Sequence, residues 1–421
     1  MTTPGVGMVS PLNLEGKDVT GLLRTYWSNK IYNESLHVDV LMNVPYLTEP
    51  VDPGKDEKEF KLGDNYAFHD ITPGGMDKYA RNVRLQFTKA LSADAREGNA
   101  QPQIGFEENI LLKWFNACAN DWSNAVTTQQ FGIDARETFP TKIYEQSKPL
   151  LSQWLGEYFG YSARHALLER ISPNLIQSPL NKTTAWNQNW HVVGLDEASQ
   201  PAYDVVDATY ETNIYTAQNA VVEADSHFTV DNILEIEDKA RAKYIKPLMW
   251  EGMELYFLYV CPEEYTRLRQ PSVTSSFGDY WLEVGALGSG KLNDVIPSAK
   301  FVLGNGIVVC RDVRAAAIGI DVAAIASYYL KMGRNDGRIG IANTRKANVN
   351  MLLGQHALVK FQPEKAHFEN QYDEYDKFNG VGLFGACSYM VPVWDLDVAD
   401  QTSATAQQEG SMVCTTTRLA A

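Results

Sequence analysis

Apolar positions along the 421 residues fall into blocks of different period. Val19–Glu34 carries Leu22, Leu23, Tyr26, Trp27 and Ile31, one buried stripe at helical spacing. Phe106–Val126 sets Ile110, Trp114, Cys118, Trp122 and Val126 four residues apart behind Glu107 and Glu108, which predicts a second helix with acids at its positive end. Ser147–Ile171 repeats Leu150, Leu151, Trp154, Leu155, Tyr158, Phe159, Ala166 and Leu167, with Pro149 acceptable in a first turn. That predicts a rod of about 37 Å with Trp154 buried in its stripe. Thr229 is placed to cap a helix running to Lys243, with Asp231 at its start and Lys239, Arg241 and Lys243 at its end. Met253–Cys261 reads as a buried strand, and Pro262 opens a short helix to Arg269. Further strands are expected at Phe301–Val309, Leu352–Phe361 and Gly382–Val393.

Between these blocks the chain is polar. Residues 1–18 read as an extended arm. From Thr48 to Gln103 turn residues dominate, and Val83, Leu85 and Phe87 alternate between them. This predicts a long two-stranded excursion with no core of its own, lying across a neighbouring subunit. Residues 270–350 are Gly-rich, and the last twenty read as a polar tail.

Composition narrows the functional classes. With 44% hydrophobic and 21% charged residues, the chain has ample material for a core. A net charge of −15 with scattered basic residues argues against gripping nucleic acid, which needs concentrated Lys and Arg. No apolar run is long enough to span a membrane, and the first twenty residues lack a signal-peptide core. Cys118, Cys261, Cys310, Cys387 and Cys414 are odd in number and widely spaced, as expected of free, mostly buried thiols in a reducing compartment.

Candidate chemistry is thin. Gly285–Lys291 begins like a phosphate-binding loop, but Leu292 stands where that loop needs Ser or Thr for magnesium, so a Gly-rich surface loop is the better reading. None of the histidines has zinc-protease spacing and no cysteine pair has zinc spacing; His165 and His356 read as ordinary packed or surface residues. Acidic pairs such as Asp196-Glu197 and Asp373-Glu374 are expected by chance among 52 acids. Tyr372, Tyr375 and Phe378 resemble a sugar platform less than a half-buried strand and turn. No catalytic, cofactor-binding or metal-binding residue is therefore nominated, no cofactor is expected, and an enzyme, for instance a carbohydrate-active one, is the weaker reading.

The order of parts carries more than any single site: arm, long excursion, long amphipathic helix, strand with short helix, Gly-rich lobe, return strands. This order resembles the major capsid protein of tailed bacteriophages, the Hong Kong 97-like fold, and within it the podophage coat protein branch. The residues that carry the resemblance are Tyr26 to Lys30, Arg96 to Asn99, Tyr256 to Arg269, Gly285 to Gly288, Gly304 to Val309, Arg345 to Ala357, and Asp376 to Tyr389, spanning roughly 20–395. Residues 311–344 and the tail depart from that pattern, and no Lys and Asn match the cross-link of some capsids. The resemblance implies an α+β fold with an N-terminal arm and first helix (1–40), an extended β-hairpin loop (41–105), a peripheral domain with a long spine helix (106–269), an axial domain (270–350), return strands of the peripheral domain (351–398) and a C-terminal tail (399–421). It implies a non-enzymatic structural protein, the major capsid (coat) protein, self-assembling as pentamers and hexamers into an icosahedral shell. Scaffold, portal and decoration proteins would be partners, and double-stranded phage DNA would be enclosed without specific binding. The location would be the virion capsid, assembled in the bacterial host cytoplasm. An encapsulin-like nanocompartment shell is the alternative within the same fold.

Overall fold

Met253–Val260 is apolar on both faces, and the architecture follows from where its two sets of side chains go. In this computed structural model the described residues are 48–51, 59–61, 65–72, 82–88, 112–128, 140–169, 186–204, 207–221, 227–250, 253–269, 281–283, 300–302, 306–314, 317–319, 345–373, 378–393 and 408–419. In chain order the strands and helices are β1 (Thr48–Val51), β2 (Glu59–Lys61), β3 (Phe68–Ile71), β4 (Asn82–Thr88), β5 (Leu112–Cys118), β6 (Asp121–Thr128), α1 (Pro140–Glu169), β7 (Trp190–Val192), α2 (Asp207–Ala220), α3 (Val230–Ala242), β8 (Leu248–Trp250), β9 (Met253–Val260), α4 (Pro262–Arg269), β10 (Trp281–Glu283), β11 (Lys300–Val302), β12 (Ile307–Arg311), β13 (Ala317–Gly319), β14 (Arg345–Leu353), β15 (Leu358–Asp373), β16 (Phe378–Met390) and β17 (Ser411–Leu419).

A nine-stranded mixed sheet runs β10-β11-β12-β9-β14-β17-β7, with β13 on β14 and β8 on β9. Its strands are sandwiched, so they read as continuous apolar runs rather than alternations. From β9, Leu255, Phe257 and Tyr259 join one core with Leu155, Phe159 and Leu167 of α1 and Tyr210 and Tyr215 of α2. Tyr256, Leu258 and Val260 point the other way, to Ile233, Ile236 and Ala240 of α3 and Tyr265 and Leu268 of α4. A second sheet, β1-β3-β15-β16-β6, and a third, β2-β4-β5, share a smaller core built from Ile71, Val83, Leu85, Phe115, Val359 and Phe361.

The expected strand at Met253–Cys261 and helix after Pro262 are present, and α3 starts where its cap predicts: Thr229 Oγ1 accepts from Asn232 N at 3.2 Å. Four expectations are corrected. The described part of the helix expected at Phe106–Val126 is not helical: 112–128 is the strand pair β5 and β6. Four is a multiple of two as well as about one helical turn, so a four-residue spacing satisfies both periods. Burial alternates along Phe115–Ala117 and Trp122–Val126 as a strand requires. The long helix begins at Pro140, so Pro149 lies inside it, Leu150 is exposed and Trp154 is only half-buried. The excursion at 48–103 is not coreless: Phe68, Ile71, Val83 and Leu85 are buried against this chain's own β5 and β15. The tail is not a tail, because β17 lies between β14 and β7 with Met412, Val413 and Cys414 in the two cores. Thr415 and Thr416 are fully buried there, since threonine's branched Cβ suits a pleated sheet even though it counts as polar.

The expected strand at Phe301–Val309 is split into the antiparallel β11 and β12, and Leu352–Phe361 straddles the turn from β14 to β15. The boundaries expected at 269/270 and 350/351 fall inside one sheet, because β12 pairs with β9 and residue 350 lies within β14. The arm, the helix at Val19–Glu34 and the loop at Gly285–Lys291 lie outside the described residues.

Candidate functional site

Three buried polar clusters hold the elements together. The first fixes α1. Its second half is buried on every side from Ser162 to Leu168, so the one cation there needs a partner. Arg164 donates to Asp312 through Nε at 2.8 Å and through Nη2 at 2.6 Å, a two-pronged pair just past β12. Asp312 N donates to Val260 O, and Asp312 Oδ1 also accepts from Arg314 N, so the carboxylate sits where two parallel strands end.

The second cluster clamps β17. Asn189 Nδ2 donates to Gln408 O and Ser411 O, and Asn187 Nδ2 to Leu167 O and Ser411 Oγ. Gln188 and Gln408 each donate a backbone N–H to the other's side-chain oxygen, at 3.0 and 2.9 Å.

The third cluster sits where the two larger sheets meet. The turn 354–357, between β14 and β15, is stitched on three sides. Gly354 N donates to Gly410 O, Gln355 N to Lys246 O, and His356 N to Tyr66 O. A Cβ at Gly410 would come within 2.2 Å of His356 O, so only glycine fits. His356 itself has φ of 55°, a left-handed turn residue. Its Nδ1 lies 2.8 Å from His69 Nε2, and His69 Nδ1 lies 2.7 Å from Glu49 Oε2. The rings stack 4.9 Å apart. Burial, with His69 and Lys246 adding repulsion, lowers the His356 pKa to about 3.

The sequence candidates are dispersed. His165 is packed on α1 with Glu169 3.4 Å away. Tyr372 and Phe378 belong to the paired ends of β15 and β16, as the strand-and-turn reading expected, while Tyr375 is outside the described residues. Glu197 is exposed and ion-pairs Lys239. All five cysteines are buried and free, and burial raises Cys118 to about 11 and Cys261, Cys387 and Cys414 to about 12, which makes poor nucleophiles of them. Among the described residues no group of three or more His, Cys, Asp or Glu is disposed to hold a metal, and no helix is long and apolar enough to cross a membrane. The His69–His356 contact was beyond sequence reasoning, since nothing local marks two residues 287 apart as neighbours.

No protein-family model matches the chain, and no curated protein matches it by sequence. Solved structures match by shape. The capsid of Ralstonia phage GP4 aligns with a TM-score of 0.51 at 12% identity, covering 87% of this chain and 92% of that one. The capsid of cyanophage Pam1 gives 0.51 at 12% identity, covering 85% and 90%. At such identity the likeness is one of fold: the chain has the α+β fold of these phage capsid subunits, over most of both lengths.

Proposed function

We propose that this chain is a major capsid protein that self-assembles into the icosahedral head shell of a tailed bacteriophage around double-stranded DNA. The observation that carries the reading is the extent of the likeness, nearly the whole of this chain on nearly the whole of two capsid subunits. Structural chemistry agrees with it. The buried polar groups described above fasten strands and helices to one another, and the net charge of −15 suits a shell that encloses DNA without gripping it. On this reading the chain is not an enzyme and it resides in the virion, assembled in the host cytoplasm. Copies form rings of five and six with head-to-tail contacts, and scaffold, portal and decoration proteins are the further partners. We assign the arm and first helix to 1–40 and a peripheral domain to 106–269 with α1 as its spine. The extended loop belongs to 41–105, less the segments 65–72 and 82–88 that pack on the chain's own core. The axial domain belongs to 270–350, less β12 and β14.

Electron microscopy of the purified recombinant protein tests the reading, with closed shells or curved sheets expected. A protein that stays monomeric at high concentration and ionic strength would overturn it. Small uniform shells that enclose a co-expressed enzyme would replace the virion assignment with a cellular nanocompartment.

A further inference from the structure

The Glu49–His69–His356 cluster has a property that follows from proton counting. Glu49 Oε2 accepts from His69 Nδ1, so in a neutral His69 the Nε2 has no hydrogen and accepts from His356 Nδ1. One added proton is accommodated. The added hydrogen lies on His356 Nε2, and the contact between the rings keeps a single hydrogen. A second proton leaves an N–H on both sides of a 2.8 Å contact, which cannot persist. Both rings are almost wholly buried, so water cannot step in without the turn opening.

The surrounding charges do little to favour a second cation. Among the described residues, Glu49, on β1, is a carboxylate in contact with the pair, at His69 Nδ1. Asp70, on β3, is taken by Lys360 of β15 at 2.8 Å, and the Lys360 ammonium lies over the Phe159 ring on the α1 side. Lys246, in the segment before β8, adds positive charge next to His356. Gly410, the closest approach from the β17 side, brings none.

We propose that this cluster is an acid-sensitive latch: a second proton on the histidine pair releases turn 354–357 and uncouples the nine-stranded sheet from the five-stranded one. The turn is where this release is felt, because its backbone donors reach Lys246, Tyr66 and Gly410 on three separate segments. A histidine pKa held down in the closed form means that closure is favoured above the ordinary value of about 6.5 and loses ground as pH falls toward the closed-form value.

Hydrogen exchange by mass spectrometry on the full chain tests it, with rates divided by the intrinsic rate at each pH. Between pH 7.5 and pH 5.0, protection of a peptide covering 352–360 should fall by about thirtyfold, the linkage expected for a histidine moving from 6.5 to about 3. A peptide from β9 should hold its protection. His356→Asn keeps a side chain that tolerates the left-handed turn and can still donate to His69, but it cannot titrate. It should reduce the acid effect to less than about threefold. Equal protection of wild-type 352–360 at both pH values overturns the latch, as does an undiminished acid effect in a folded His356→Asn variant.

Discussion

Replacing Asp312 is the sharpest test of how α1 is fixed to the sheet. Both side chains of the Arg164–Asp312 pair are almost fully buried, at 2% and 5% exposure. Removing one partner takes from the other charge its two-pronged counterpart in the core, which costs about 3–5 kcal/mol. Against a typical total stability of about 5–15 kcal/mol, either Arg164→Met or Asp312→Leu should bring the subunit near its limit. The double variant should recover most of that loss, because packed apolar side chains replace buried ions at little net cost. Loss of the Arg314 N–H acceptor would leave a residual penalty of about 1 kcal/mol. The cycle is measured on unassembled subunits by urea unfolding followed by tryptophan fluorescence, since Trp154, Trp186 and Trp190 border the same core. A coupling energy of about 3 kcal/mol, with the double variant more stable than the sum of the singles, is expected. If each single variant loses under about 1 kcal/mol, or if the two losses simply add, the pair does not anchor the helix.

Two other outcomes follow from the fold. Removing residues 408–421 deletes β17 from inside the nine-stranded sheet, so the product should be insoluble or protease-sensitive throughout; a folded, soluble truncation by circular dichroism and limited trypsin digestion would contradict its place in the core. Tyr244→Gly should raise stability by about 1 kcal/mol in thermal unfolding, because Tyr244 is exposed, has φ of 58° and ends α3 where a left-handed glycine is preferred.

What could be read in advance depended on how local the signal was. The start of α3, the strand β9 and the turn into α4 are written in adjacent residues, a threonine cap, an unbroken apolar run and Pro262. β5 and β6 failed because Cys118, Trp122 and Val126 obey two periods at once, and only their partners β4 and β16 decide between them. β17 failed for the opposite reason. Its threonines look solvated in isolation, and their burial comes from β14 and β7, both far away in sequence. The latch residues lie in the same class: Glu49, His69 and His356 acquire meaning only through parallel pairing of β1 with β3 and of β3 with β15.

The position of β17 also bears on how the chain is made. Among the described residues β7 pairs with β17 alone, and Trp190 Nε1 reaches Thr415 across 225 residues. At about 5–20 residues per second, a ribosome needs roughly 11–45 s to span that interval. For that time the Trp190 segment has been synthesised and its ladder has not. Folding of the larger sheet cannot proceed vectorially from the amino end; it must wait and then close around a late-arriving strand. A nascent chain of this kind presents an unpaired β14 edge to its neighbours on the same messenger, which makes crowding on polysomes, rather than the finished subunit, the moment of greatest aggregation risk.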